Sequence, residues 1–395
     1  MKLLKIRASG IPLFKDTCEI DFLALQRVTA EDANSMSTVF TTGTQAFTQN
    51  NVLAMIGINA SGKTTVLKLI TFVCKMLNHE PLNRIDCAEI LDGLEKDQHV
   101  TLETYFYAES SATFCQATGK AINQLKTVIG KKDNKLLIVQ ETLKTKAVTT
   151  DLRKKNALDF TDVEVNLSRE FNEYLLDDVS IMVAFNKKNK EQLLVSDMLQ
   201  YTNVNHLYLS EDCPLELISF FDPSIEYLRL QKDDKDIRII LKFKEKKEII
   251  LNQLSELNRY LSSGTIKGIN IFLEAMRIFK TGGYLIVDEL ENHFNREIVS
   301  TLIRFFMDKK VNQTGAMLIF STHYPELLDE FERNDNIYII KNRQGVSIEN
   351  LSKILKRNDI KKSEAYQSGF LEGTVPMYES YMNLKKALIQ NNLEG

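Results

Sequence analysis

The feature that most limits what this chain can become is the octet Gly57-Ile58-Asn59-Ala60-Ser61-Gly62-Lys63-Thr64. It fits the spacing GxxxxGK[ST], and its surroundings fit too. Before it stands Val52-Leu53-Ala54-Met55-Ile56, short and wholly apolar, as a buried parallel strand reads. After it, Val66, Leu67, Leu69, Ile70, Val73 and Leu77 recur at helical spacing. Glycines in such a strand-to-helix turn let backbone N–H groups curl around phosphate oxygens, and the helix N-terminus adds its positive dipole end. Lys63 would reach the outer phosphates and Thr64 would offer its hydroxyl to Mg²⁺. Asn59, Ala60, Ser61, Gly62 and Thr65 complete the expected cradle. A chance glycine-rich turn is the bland alternative, and the strand–turn–helix context weighs against it.

Three further signals follow in the chain. Tyr284-Leu-Ile-Val287 is an apolar run that ends in two adjacent acids, Asp288 and Glu289. Burying unpaired charge is costly, so two carboxylates at the end of a core strand point to chemistry. Asp288 would hold Mg²⁺, and Glu289 would act as general base on the attacking water. An acidic helix cap is the competing reading. Leu261-Ser262-Ser263-Gly264-Thr265 stands directly before a helical stretch. Alone it is a good N-cap and no more. Upstream of the Asp-Glu strand, Ser262, Ser263 and Gly264 are candidates to meet a phosphate presented by a second subunit. Phe320-Ser-Thr-His323 closes another apolar run. A lone histidine there is more often structural, but after the other three motifs His323 occupies the position of a γ-phosphate sensor.

These motifs, in this order, resemble the ABC-type ATPases. GxNxSGK, LSSGT, DELENHFN and STHYPELLD are similar to the SMC/Rad50/OLD branch, the AAA_15/AAA_21 family. More narrowly, they resemble the ATPase components of bacterial anti-phage systems (AbiLi/RloA/AriA-like). Arg357-Asn-Asp-Ile-Lys-Lys-Ser-Glu-Ala-Tyr366 in the tail is similar to that group as well. The resemblance implies ATP and Mg²⁺ as ligands, hydrolysis of ATP, and a head-to-head homodimer or higher homo-oligomer. Thr265 is followed by Ile266 and Lys267 rather than by the glutamine or arginine usual in transporter engines. The family's glutamine contact has Gln140, after Leu136-Leu-Ile-Val139, as first candidate and Gln116 as second. Arg7 and Phe14 are open candidates for phosphate and base contacts; a solvated arginine and a core aromatic serve equally.

Strands alternating with helices at both ends predict an α/β fold: an ABC-type P-loop core, a mixed sheet with flanking helices, carrying an inserted α+β lobe. The core is split between residues 1–95 and 256–350, the lobe spans 96–255, and 351–395 form a tail. Residues 2–22 read as a hairpin, 30–50 as loop with a short helix, and 99–142 as strands. A formal charge of −3 gives no global pull toward nucleic acid or anionic membrane. Five scattered cysteines with no CxxC pair speak against a zinc site and for a reducing, cytoplasmic setting. No stretch approaches the roughly 20 apolar residues of a membrane span.

Function then divides. The first expectation is the sensor or regulatory ATPase of an anti-phage defence system that controls a separate toxin or nuclease encoded nearby. The chain runs only 72 residues past His323, short for the nuclease domain that ends OLD nucleases. The alternative is an SMC/Rad50-like DNA repair or recombination ATPase, which leaves a nucleic-acid partner open. The charge-dense segments 144–155, 185–190 and 232–247 could serve it, although they interleave acids and no coiled-coil arm is present. A transporter engine is the weakest of the three.

Overall fold

The structure is a computed structural model that describes residues 1–43, 45–110, 119–169, 175–200, 207–209, 212–232, 237–292, 294–369, 371 and 378–393. The expected N-terminal hairpin is present as β1 (Lys2–Ser9) and β2 (Cys18–Asp21), paired antiparallel. Residues 30–50 depart from the expected loop. A short 3-10 turn (Asp32–Asn34) is followed by a second hairpin, β3 (Met36–Thr41) with β4 (Ala46–Asn50). Its apolar content is sparse but well placed. Phe40 stacks on Phe47 at 4.3 Å between ring centroids and on Tyr107 at 5.0 Å. Packing of that kind decides strand formation where propensity does not.

β5 (Val52–Ile56) and α1 (Lys63–Leu77) then flank the P-loop, as the periodicity requires. β6 (Val100–Ser110), β7 (Gly119–Lys132), β8 (Lys135–Ala147) and β9 (Val165–Ser168) form a meander. They do not stand apart from the N-terminus. The sheet runs β2-β1-β6-β7-β8-β9, with β1 paired antiparallel to β6. The boundary expected at residue 96 therefore divides one continuous sheet. Alternation along β1 and β6 buries Leu3, Ile6, Ala8, Leu102 and Phe106 on the side facing α1.

After α2 (Met182–Asn189) the chain enters the central sheet early, through β10 (Val195–Asp197). α3 (Leu215–Phe221) and a three-stranded antiparallel sheet follow: β11 (Ile225–Lys232), β12 (Ile237–Phe243) and β13 (Ile249–Leu251). The second half of the core is α4 (Ser263–Thr281), β14 (Tyr284–Val287), α5 (Arg296–Met307), β15 (Met317–Thr322), β16 (Ile337–Asn342) and β17 (Val346–Asn350). The central sheet runs β10-β14-β15-β5-β16-β17, parallel except for β17.

All residues of β5, β14 and β15 are buried, which is why β5 and β14 read as apolar runs throughout and β15 as one up to Phe320. Leu53, Met55, Ile286, Met317 and Ile319 face one core with α1 and the antiparallel sheet. Val52, Ala54, Ile56, Leu285, Val287, Leu318 and Phe320 face a second core with α4 and α5. At about 1.5–3 kcal/mol per fully buried large apolar side chain, these two layers are the chief source of stability. They fix the C-terminal ends of β5, β14 and β15 side by side, where ligands bind in open α/β sheets.

The tail is helical: α6 (Leu351–Ile354), α7 (Lys362–Gln367) and α8 (Tyr378–Leu393). Arg333 locks the loop before β16 to the N-terminal region. Its guanidinium donates to Asp32 at 3.0 Å, to both Asp335 oxygens at 2.6 and 2.9 Å, and to the carbonyls of Gln26 and Arg27. Among the described residues no helix is long and apolar enough to cross a membrane. The described cysteines, Cys18, Cys74, Cys87 and Cys213, are buried free thiols, and burial pushes the Cys18, Cys87 and Cys213 thiols up to about 12.

Candidate functional site

The P-loop owes its shape to two glycines. A Cβ at Gly57 would collide with Ser61 Oγ and the Ile340 carbonyl, and one at Gly62 with the Val346 side chain. Gly62 also sits at φ +97°, which L side chains rarely adopt. The loop thus passes under the β16–β17 hairpin, and Asn342 Nδ2 donates to the Ala60 carbonyl at 3.2 Å. Ser61 is 1% exposed, and its Oγ has no hydrogen-bond partner. An orphaned buried hydroxyl in a turn lined by backbone amides fits a phosphate.

Lys63 opens α1 and folds back over the loop. Its ammonium donates to the carbonyls of Gly57 and Ile58 at 2.9 and 3.1 Å and meets His323 Nδ1 at 3.0 Å. Burial pulls its pKa down, while the carboxylates of Asp288, Glu289 and Glu291 push it back up. An ammonium only donates, so Nδ1 is the acceptor and the neutral ring carries its proton on Nε2. Nε2 lies 3.2 Å from Glu289 Oε1.

The end of β14 supplies the acids. Thr64 Oγ1 donates to Asp288 Oδ2 at 2.7 Å, and the Ser321 hydroxyl donates to Asp288 Oδ1. Ser321 Oγ in turn accepts the Glu289 backbone N–H at 2.7 Å. Glu289 lies at φ +46°, a left-handed conformation that costs about 1–3 kcal/mol for a non-glycine residue and clusters at functional sites. Asn292 Nδ2 donates to Glu289 Oε2 at 2.5 Å. A hydroxyl beside a carboxylate is a hard oxygen set that suits Mg²⁺, which takes one or two protein ligands and completes its shell with substrate phosphates and water. Thr64 and Asp288 are the residues that would hold it.

Two clefts meet here. The larger, about 850 Å³, is lined by Asn59 through Thr65, by Glu289, Asn292 and His323, and by Leu13 and Gln344. The second, about 490 Å³, is lined by Thr64, Lys68, Asp288, Glu289 and Gln200 among others. Both lie within the usual range for small-molecule sites.

The sequence-based candidates are distributed unevenly over this geometry. Asn59, Ala60, Ser61, Gly62, Lys63, Thr64, Thr65, Asp288, Glu289 and His323 converge. Gln140 does not: it lies exposed in the middle of β8, opposite Val128, and lines neither cleft. The glutamine that does is Gln200, three residues beyond β10, the strand beside β14. Its short strand sits in a polar region where apolar periodicity gives little signal. Gln116 lies outside the described residues. Arg7 is paired with Glu19 and Glu103 on the antiparallel sheet. Phe14 packs against the core, and Pro12 and Leu13 face the cleft in its place. Ser262 caps α4, its Oγ accepting Thr265 N–H at 3.0 Å, and none of Leu261 to Thr265 lines either cleft. Ser321 and Asn292 lie inside the stretches that carry the resemblance, but neither has a role assigned from the sequence.

Residues 52–329, more than half of the chain, match the sequence model of the AAA_21 family, described as "AAA domain, putative AbiEii toxin, Type IV TA system". The chain belongs to the AAA_21 family. The matched span includes the P-loop, Leu261–Thr265, Asp288, Glu289 and His323, so this AAA_21 chain is a P-loop ATPase core with a nucleotide-binding site. A comparison with curated proteins gives no match.

Proposed function

We propose that this AAA_21 chain hydrolyses ATP to ADP and phosphate at a site shared by two copies arranged head to head. Glu289 takes a proton from water as that water attacks the γ-phosphorus. The bond from that phosphorus to the β–γ bridging oxygen breaks, and ADP leaves with the bonding pair. Lys63 and the P-loop amides hold the phosphates, and His323 meets the γ-phosphate. Mg²⁺, when bound by Thr64 and Asp288, would offset phosphate charge. One observation carries this reading: Lys63, His323 and Glu289 are joined in one run of contacts at the strand ends, Thr64 is bonded to Asp288, and Ser321 links the two sets. That Leu261 to Thr265 stay off the clefts of their own chain supports a site completed by Ser262, Ser263 and Gly264 of a second copy.

The cycle serves, on this proposal, to restrain or release a separate toxic partner in a bacterial anti-phage system. The family description, which refers to a toxin and a type IV TA system, supports that direction. Among the described residues of 96–255 and of the tail beyond Asn350, only those around Gln200 line the two clefts, and the rest are the surfaces offered to partner and trigger. The test is paired expression with the adjacent gene. The pair should protect cells from phage, and Lys63→Ala or Glu289→Gln should abolish protection. In vitro, Lys63→Ala should lose nucleotide affinity, whereas Glu289→Gln should bind ATP without turnover. Full protection by this chain alone, or unchanged protection by Lys63→Ala, would defeat the two-component reading.

A further inference from the structure

Glu291 and Asn292 follow the proposed base and are assigned no role in binding or attack. Glu291 is 5% exposed. Its Oε1 accepts the backbone N–H of His323 at 2.5 Å, and its Oε2 is buried with no hydrogen-bond partner. Leaving a buried carboxylate oxygen without a hydrogen bond costs about 1–3 kcal/mol, against which this carboxylate has the charge of Lys63 nearby. A residue kept for stability alone would be better as a smaller or neutral one. The side chain spends its one bond on the amide that sets where His323 leaves β15.

Asn292 works on the other partner. Its Nδ2 donates to Glu289 Oε2, while His323 Nε2 faces Glu289 Oε1. Both oxygens of the base are therefore held, one by each neighbour. The backbone explains how adjacent residues reach two targets. Glu289 turns left-handed, and Asn292 N–H closes back on the Glu289 carbonyl at 2.9 Å. The turn folds residues 291 and 292 over the end of β15. Each of its two side chains then points at a different catalytic group.

We propose that Glu291 and Asn292 are positioning residues for hydrolysis: Glu291 fixes His323 through its backbone amide, and Asn292 fixes the carboxylate of Glu289. This rests on the reading of Glu289 as base. Neither residue needs to touch the substrate. Their effect is to hold the base and the sensing histidine in one geometry before ATP arrives, the kind of preorganisation that raises kcat rather than affinity.

The test uses the full chain with Mg²⁺ and ATP, and the variants Glu291→Ala, Glu291→Gln, Asn292→Ala and Asn292→Asp. Glu291→Ala should lower kcat by roughly tenfold or more, with KM for ATP within about threefold of wild type. Glu291→Gln keeps a carbonyl oxygen for the His323 amide and should return kcat to within about threefold. Asn292→Ala should lower kcat by roughly tenfold, and the isosteric Asn292→Asp, which sets like charge against Glu289, by more. A second readout needs no nucleotide: ¹⁵N NMR of the imidazole nitrogens, with the His323 signal assigned by His323→Gln. Wild type and Glu291→Gln should show the neutral Nε2–H tautomer, and Glu291→Ala a changed signal. Wild-type kcat in Glu291→Ala would overturn the proposal, as would equal losses in Glu291→Ala and Glu291→Gln or losses confined to KM or melting temperature. If wild type itself turns over no ATP, the hydrolase reading fails and the NMR comparison still decides whether Glu291 holds His323.

Discussion

Lys63, His323 and Glu289 form a chain of contacts in which each group occupies its neighbour. Lys63 rests on two loop carbonyls and on His323, and His323 faces Glu289. A bound β,γ-phosphate would compete with those carbonyls for the ammonium, so loading the site must rearrange it. Gln200 stands beside this chain, on the cleft wall with Thr64, Asp288 and Glu289. Gln200→Ala should therefore lower ATP turnover by roughly tenfold, the size of one lost interaction of about 1.4 kcal/mol. Gln140→Ala, on the far sheet, should leave it within twofold. Steady-state kinetics of the two variants side by side would check this, and equal rates would remove Gln200 from the site. The lesson for reading sequence is local. Residues named by a spaced motif converge because motif and turn geometry are one constraint. A single glutamine after a three-residue strand has no such constraint, and Gln140 follows an equally plausible apolar run.

At the scale of elements, β5, β14 and β15 were legible because burial on both faces leaves apolar runs, and α1 because its apolar residues recur at helical spacing. The hairpin of β3 and β4 was not, since its stability lies in Phe40 stacking on Phe47 and Tyr107, partners distant in sequence or unmarked. The continuous sheet from β2 to β9 was equally hidden: pairing of β1 with β6 joins residues about a hundred apart. The Arg333 anchor belongs with these. Asp335 is 1% exposed, accepts the backbone N–H groups of Leu25 and Gln26 at 2.9 Å, and takes both of its charge-assisted partners from Arg333. Removing the guanidinium would leave that carboxylate buried with two backbone N–H partners and without the counter-charge of Arg333. Arg333→Ala should cost about 3–5 kcal/mol of unfolding free energy, read from urea denaturation. A loss below about 1 kcal/mol would mean that water replaces the guanidinium at little cost.

For the whole molecule, the two-layer core places the P-loop, Asp288, Glu289 and His323 at the ends of β5, β14 and β15 and leaves Ser262, Ser263 and Gly264 at the head of α4, off both clefts. On the proposed function, two copies turned head to head bring each α4 N-terminus to the other's P-loop, where its dipole favours phosphate. The most direct test is complementation. Ser263→Arg and Lys63→Ala chains, each inactive alone, are mixed under conditions where heterodimers are shown to form, and ATP hydrolysis is measured. A site built from two chains leaves each heterodimer with one site that carries both defects and one that carries neither. Activity should then reappear, rising with the heterodimer fraction. Hydrolysis no higher than that of either variant alone, with heterodimers present, would contradict the shared site.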